Sequence, residues 1–377
     1  MHFVESNLCY YGEKGRLLVR GVDCGQRLEI VLYNGWGTYS LDLSGLDRPD
    51  VEFEVDPLVR VPEDSRQLGV MLRSFELLQD LEFARTKTTN RGMNTEEFWE
   101  GKPLLLSYPP QLRIDRETRC NLSPRCTYCH WNETKSLEEE SPLRSTLDTI
   151  SRLDEFITCA EQIVDCGYGE PLLNPDLPQI LDEFKARRIR LEMTSKGVLL
   201  TPDIRKVLLG RRLTLYVSVD SATGVGYRRY RHSSLDKILN NLRDLCIEKR
   251  KYGALPRVIV SFIAMSSNLE EFEPFLERML YTGIDAIKVR SLFSGRWCES
   301  MNGWASSRRL NYRDDLLEME ALAEFLDKAR ALAHSAGISI VSEHDFGADL
   351  EHGRGPLCRE PWQSLYVLNR GILPCCF

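Results

Sequence analysis

The chain has 377 residues, 42% of them hydrophobic and 28% charged, with a formal net charge of -7. That is the balance of a globular protein with room for two or three domains, and the acidic excess speaks against long nucleic acid as a partner. No apolar run approaches the ~20 residues needed to span a bilayer, and Met1–Asn7 lacks the basic start and apolar core of a secretion signal, so a cytoplasmic protein without a membrane partner is expected.

Residues 1–105 read as a separate β-rich, sandwich-like domain. Arg16–Arg20, Arg27–Tyr33 and Val51–Val55 are apolar or alternate over strand lengths, and Gly, Asp and Pro punctuate them. Gln67–Leu78 supplies a further strand. Asn34–Tyr39 reads as a hairpin turn around a packing Trp36, and the polar residues 86–103, with Asn90, Gly92 and Gly101, read as a linker.

From about residue 108 the pattern changes to strand–helix alternation. Expected strands are Leu112–Asp115, Gln162–Cys166, Arg190–Thr194, Leu213–Val219, Arg257–Ile263 and Ile284–Arg290. Helices are expected over 176–186, from Thr201 as cap with Pro202 at the first position, and over 234–249, 269–282 and 315–336. Six such units make an α/β domain, a partial (β/α)6 TIM-like barrel over residues 106–345, whose reacting groups gather at the C-terminal strand ends.

Three cysteines stand just after the first of these strands: Cys120, Cys126 and Cys129, spaced C-x5-C-x2-C. In a reducing compartment an odd, crowded trio argues for metal rather than disulfides, since thiolates ligate zinc and iron–sulfur clusters. Three ligands leave one coordination position open to a non-protein group. The alternative is a zinc site completed by a fourth ligand such as His130.

The trio, Gly169-Glu170-Pro171 after the second strand, Thr194-Ser195-Lys196-Gly197 after the third and Ser218 with Asp220 after the fourth together resemble the radical S-adenosylmethionine (SAM) enzymes over residues 108–345. The resemblance implies a [4Fe–4S] cluster on the three cysteines and SAM on the open iron. It also implies reductive cleavage of SAM to a 5′-deoxyadenosyl radical that abstracts hydrogen from a C–H bond. Tyr128 matches the aromatic before the last ligand. Gly169, Glu170 and Pro171 match the segment that contacts the SAM amino group; Thr194, Ser195, Ser218 and Asp220 lie at the polar strand ends near SAM. Arg231 matches an arginine that pairs with the SAM carboxylate. The chain departs from the usual C-x3-C-x2-C by two extra residues.

Residues 346–377 resemble the start of a SPASM/Twitch-like region, which implies an auxiliary iron–sulfur cluster with Cys358, Cys375 and Cys376 as ligands. Cys298 is a candidate ligand there, and the candidate hydrogen-donating catalytic thiol for an epimerase. Residues 60–70 resemble a motif from polysaccharide assembly, which favours a carbohydrate or glycosylated natural product as substrate, epimerised or oxidised at one carbon. A reductant such as flavodoxin or ferredoxin is the expected partner. Two alternatives stand beside this reading: a SPASM-type enzyme that modifies a peptide, and a zinc-stabilised glycan-binding protein.

Overall fold

The computed structural model describes residues 3–21, 27–42, 51–56, 59–60, 67–68, 70–78, 82–114, 119–129, 150–165, 169–292, 315, 317, 319–342, 360–368 and 371–373. The chain divides into two compact units, one of Met1–Pro110 with Glu155–Glu161 and one of Gln111–Asp154 with Gln162–Phe377.

The first unit is built on a long antiparallel hairpin, β1 (Phe3–Gly21) against β2 (Arg27–Asp42). β3 (Val51–Asp56) pairs with the second half of β1; β4 (Val59–Arg60) and β5 (Gln67–Leu68) form a separate two-stranded ladder; β6 (Val70–Leu78) pairs with the first half of β1. Among the described residues these strands make a four-stranded antiparallel sheet and a separate two-stranded ladder, the expected β-rich unit. Asn34–Tyr39 is not a turn. It continues β2, and the pairing slips from Tyr10 to Lys14, so the extra residues are absorbed as a bulge in β1.

Residues expected to be a linker form helix α1 (Glu82–Trp99). Its polar residues misled because they are buried and clamped to the segment that follows. Asn90 exchanges two bonds of 2.8 Å with the backbone of Tyr108, Asn94 donates to the Ser107 hydroxyl at 3.0 Å, and Glu97 accepts from Leu106 N at 2.7 Å and from Ser107. Side-chain hydrogen bonds replace the apolar stripe that usually identifies a docked helix.

The second unit is a nine-stranded sheet. β7 (Gln111–Ile114), β8 (Gln162–Asp165), β9 (Arg190–Ser195), β10 (Leu213–Ser218), β11 (Arg257–Ala264), β12 (Ala286–Ser291) and β13 (Ser339–Ser342) lie side by side in chain order, all parallel. The six expected strands are present with boundaries shifted by one or two residues. The tail adds to them: β14 (Ser364–Leu368) pairs parallel with β7, and β15 (Gly371–Leu373) turns back on β14, so part of residues 346–377 belongs to the barrel sheet.

Helices cover one face of this sheet. Ser234 caps the helix Leu235–Lys249, which buries Ile238, Leu242 and Leu245; the helix Phe272–Leu280 buries Phe272, Phe275 and Met279. Leu215, Val217, Val258, Val260 and Phe262 meet them from the strands. The Phe262 ring lies 4.8 Å from Phe275 and 5.3 Å from Phe272. The alternate strand residues form the opposite, polar face. Register sets Thr194 beside Tyr216, Ser218 beside Ser261 and Ser261 beside Lys288, and the Lys288 ammonium lies 5.2 Å from the Tyr216 ring centre. No helix among the described residues is long and apolar enough to cross a membrane.

Candidate cofactor site

The site gathers where these strands end. The loop after β7 carries Cys120, Cys126 and Cys129, all free thiols. They share one cluster of side chains with Leu122, Tyr128, Tyr230, Met265 and Leu292, so the trio is backed by an apolar wall drawn from four separate stretches of chain. Thr127 ties the loop to the helix Gly224–Arg231, its N–H donating to Tyr230 O at 2.9 Å. Burial raises the Cys126 thiol pKa, opposed by the nearby Arg231 guanidinium.

Two donors point at sulfur. Leu122 N–H donates to Cys120 Sγ at 3.4 Å and Arg231 Nη1 to Cys126 Sγ at 3.8 Å. Asn121 Oδ1 is buried in the same loop with no partner among the described residues. Three thiols in an apolar pocket, with N–H donors aimed at two of the sulfurs, suit an iron–sulfur cluster, whose ligands are thiolates stabilised by N–H···S bonds. Among the described residues no three His, Cys, Asp or Glu side chains converge as a single metal ion requires. His130 lies outside the described residues, as do Cys298, Cys358, Cys375 and Cys376.

The turn after β8 places Glu170 at the centre of the site, with none of its surface exposed. Its carboxylate accepts from Lys196 N at 2.8 Å and from Leu172 N at 3.3 Å, capping the short turn that begins at Pro171. Burial raises the Glu170 pKa, while Lys196 and these donors oppose it. Glu170 therefore locks the end of β8 to the end of β9. The Gly169 carbonyl accepts from the Lys196 ammonium at 2.8 Å. Spacing gave no role to Lys196; its position one residue after Ser195 was the available signal.

Ser195 is buried, its hydroxyl accepting from Gly197 N at 3.0 Å, while Thr194 stands on the polar face of β9. Gly197 has φ +75°, and a Cβ there would lie 2.8 Å from Val217 and 3.1 Å from Ile238, so this turn admits only glycine comfortably. Ser218 is buried at the end of β10, and its carbonyl accepts from Tyr227 OH at 3.1 Å.

Asp220 is fully buried. Its carboxylate accepts from Arg231 Nε and Tyr128 OH, and from Ile263 N at 3.0 Å; its carbonyl accepts from Asn268 Nδ2 at 3.0 Å. Arg231 is thus directed at Asp220 and Cys126, with its Cζ 5.4 Å from the Tyr128 ring centre. The structure joins Cys126, Tyr128, Asp220 and Arg231 in one network and Gly169, Glu170, Ser195 and Lys196 in another. Sequence reasoning missed Asn268 altogether; an isolated asparagine after a strand carries no distinguishing signal.

Comparison with known proteins bears on this arrangement. Residues 118–279 match the model of the radical SAM superfamily. A probable GTP 3′,8-cyclase of Methanococcus vannielii is 27% identical over 169 residues, 44% of this chain and 53% of that protein. A tungsten-containing aldehyde ferredoxin oxidoreductase cofactor-modifying protein of Pyrococcus furiosus is 25% identical over 187 residues, 48% of this chain and 51% of that one. The chain thus spans about half the length of these curated relatives. Streptococcus suis SuiB bound to S-adenosylmethionine superposes with TM-score 0.59 at 14% identity, covering 80% of this chain and 67% of that one; its complex with the precursor peptide SuiA gives 0.55 at 14%, covering 81% and 67%. These superpositions establish a shared fold. With the cysteine loop and the strand-end motifs in agreement with that match, residues 118–279 form a radical SAM domain, and that superfamily's cofactors are a [4Fe–4S] cluster and SAM.

Proposed function

We propose that the chain is a radical SAM enzyme that modifies a peptide. The observation carrying this reading is the extent of the likeness to SuiB, which reaches 80% of this chain whereas the superfamily match ends at residue 279. One of those superposed structures contains a precursor peptide. The carbohydrate reading has less behind it. It leaned on residues 60–70, several of which lie outside the described residues, and none of the relatives named above carries a sugar-modifying name. The zinc-stabilised glycan-binding alternative gives way to the superfamily assignment.

Cys120, Cys126 and Cys129 would hold the cluster, which together with SAM supplies one-electron cleavage of a C–S bond and hydrogen abstraction from carbon. The chain's own residues position and shield that chemistry. Glu170 holds two strand ends in register through its backbone acceptances, and Tyr230, Met265 and Leu292 keep the cysteine loop dry. The polar face carrying Thr194, Tyr216, Ser218 and Lys288 is the surface against which a substrate would lie. A further cluster on Cys358, Cys375 and Cys376 belongs to the same proposal, as does a catalytic Cys298. A nucleotide substrate is the second reading, favoured by the 27% identity to a probable GTP 3′,8-cyclase.

The test is anaerobic reconstitution with iron and sulfide, then reduction with SAM in the presence of small peptides encoded beside the gene or of GTP. Formation of 5′-deoxyadenosine with a mass change in a peptide supports the proposal. A product formed from GTP, with every peptide unchanged, overturns it in favour of the second reading.

A further inference from the structure

Arg231 is a buried cation whose bonds run to the cysteine loop. Its resemblance-based role is a salt bridge to the SAM carboxylate, yet the guanidinium is 6% exposed and spends Nε on Asp220 and Nη1 on Cys126 Sγ at 3.8 Å. Its plane is fixed from three directions. The Asp220 carboxylate accepts from Nε, Cys126 Sγ accepts from Nη1, and the Tyr128 ring lies under Cζ at 5.4 Å; Tyr128 OH donates to the same Asp220 carboxylate. Ile263 N at 3.0 Å and Asn268 Nδ2 at 3.0 Å in turn hold Asp220 in place. Swinging the guanidinium away from the cysteine loop would break the buried ion pair with Asp220, which is costly.

We propose that Arg231 is a positioning residue that acts through Cys126 to set the reduction potential of the cluster, with Asp220 as the counter-charge that moderates it. This rests on the reading of Cys120, Cys126 and Cys129 as cluster ligands. Reduction adds negative charge to the cluster and its thiolates. A cation and an N–H···S donor at Cys126 favour that state and raise the potential; a carboxylate next to the cation offsets part of the effect. Because the pair is buried, water and salt screen little of it.

The experiment is a redox titration of the reconstituted cluster without SAM, followed by electron paramagnetic resonance, for wild type, Arg231→Gln, Arg231→Lys and Asp220→Asn. Arg231→Gln is expected to move the potential negative and Asp220→Asn to move it positive, with Arg231→Lys nearer wild type than Arg231→Gln. Shifts of the same sign in Arg231→Gln and Asp220→Asn, or a wild-type potential in Arg231→Gln, overturn the proposal, because loosened structure has no reason to give opposite signs. If Arg231→Gln takes up no iron, Asp220→Asn and a second measurement decide. In wild-type protein carrying ¹⁵N-arginine, the reduced cluster should show a ¹⁵N hyperfine coupling; its absence refutes contact. If wild-type protein binds no cluster at all, the reading of the three cysteines fails instead.

Discussion

Replacing Asp220 with leucine tests the buried network through stability, independently of any cofactor. The substitution removes the carboxylate that Arg231, Tyr128 and Ile263 N all address, in a site with no exposed surface. Breaking a buried ion pair from one side costs about 3–5 kcal/mol, because the surviving charge stays desolvated. Stranding the Ile263 amide and the Tyr128 hydroxyl adds roughly 1–3 kcal/mol for each group that finds no water. A loss of about 5 kcal/mol is therefore expected in the second unit. Hydrogen exchange of the β10 and β11 amides in apo protein reads it. Arg231→Met alone should cost about 3–5 kcal/mol, by the same argument. Asp220→Leu with Arg231→Met removes both charges, so the double variant should be more stable than the sum of the singles predicts by at least about 2 kcal/mol. Additivity within about 0.5 kcal/mol would refute the claim that these two residues act as one buried pair.

Other outcomes follow from the same geometry. Alanine at Cys120, Cys126 or Cys129 should abolish cluster uptake, read as iron and acid-labile sulfide per chain, while the circular dichroism of the folded apo protein is unchanged. Gly197→Ala combines a left-handed backbone with a Cβ 2.8 Å from Val217, and should cost roughly 2–4 kcal/mol by hydrogen exchange in β9 and β10. Burial pushes the Cys246 thiol from its ordinary 9.0 up to about 11. The unfolded thiol therefore loses its proton first, and stability falls as pH rises through about 9 to about 11. That gap corresponds to roughly 2–3 kcal/mol, so the stability difference between wild type and Cys246→Ala should shrink by that amount over this range. A constant difference would place the thiol in a wetter environment than its 1% exposure implies.

The sequence by itself was enough for the order of the parallel strands, because residues such as Leu213–Ser218 and Arg257–Ala264 are apolar over strand lengths and alternate with capped helices. It also singled out Cys120, Cys126 and Cys129 as one group by their spacing, and the structure places the three in one side-chain cluster. It failed at the helix Glu82–Trp99, whose docking is polar and becomes intelligible only once Asn90, Asn94 and Glu97 meet Leu106–Tyr108. It failed again for β14, which pairs with β7 across some 250 residues of chain. The direction of Arg231 belongs with these. Spacing can bring a guanidinium to the site, but whether it turns toward a ligand or toward Asp220 and Cys126 depends on a carboxylate eleven positions away and a thiol 105 positions away. Local periodicity fixes what a segment becomes; which charges end up sharing a desolvated space is decided only when distant segments close around them.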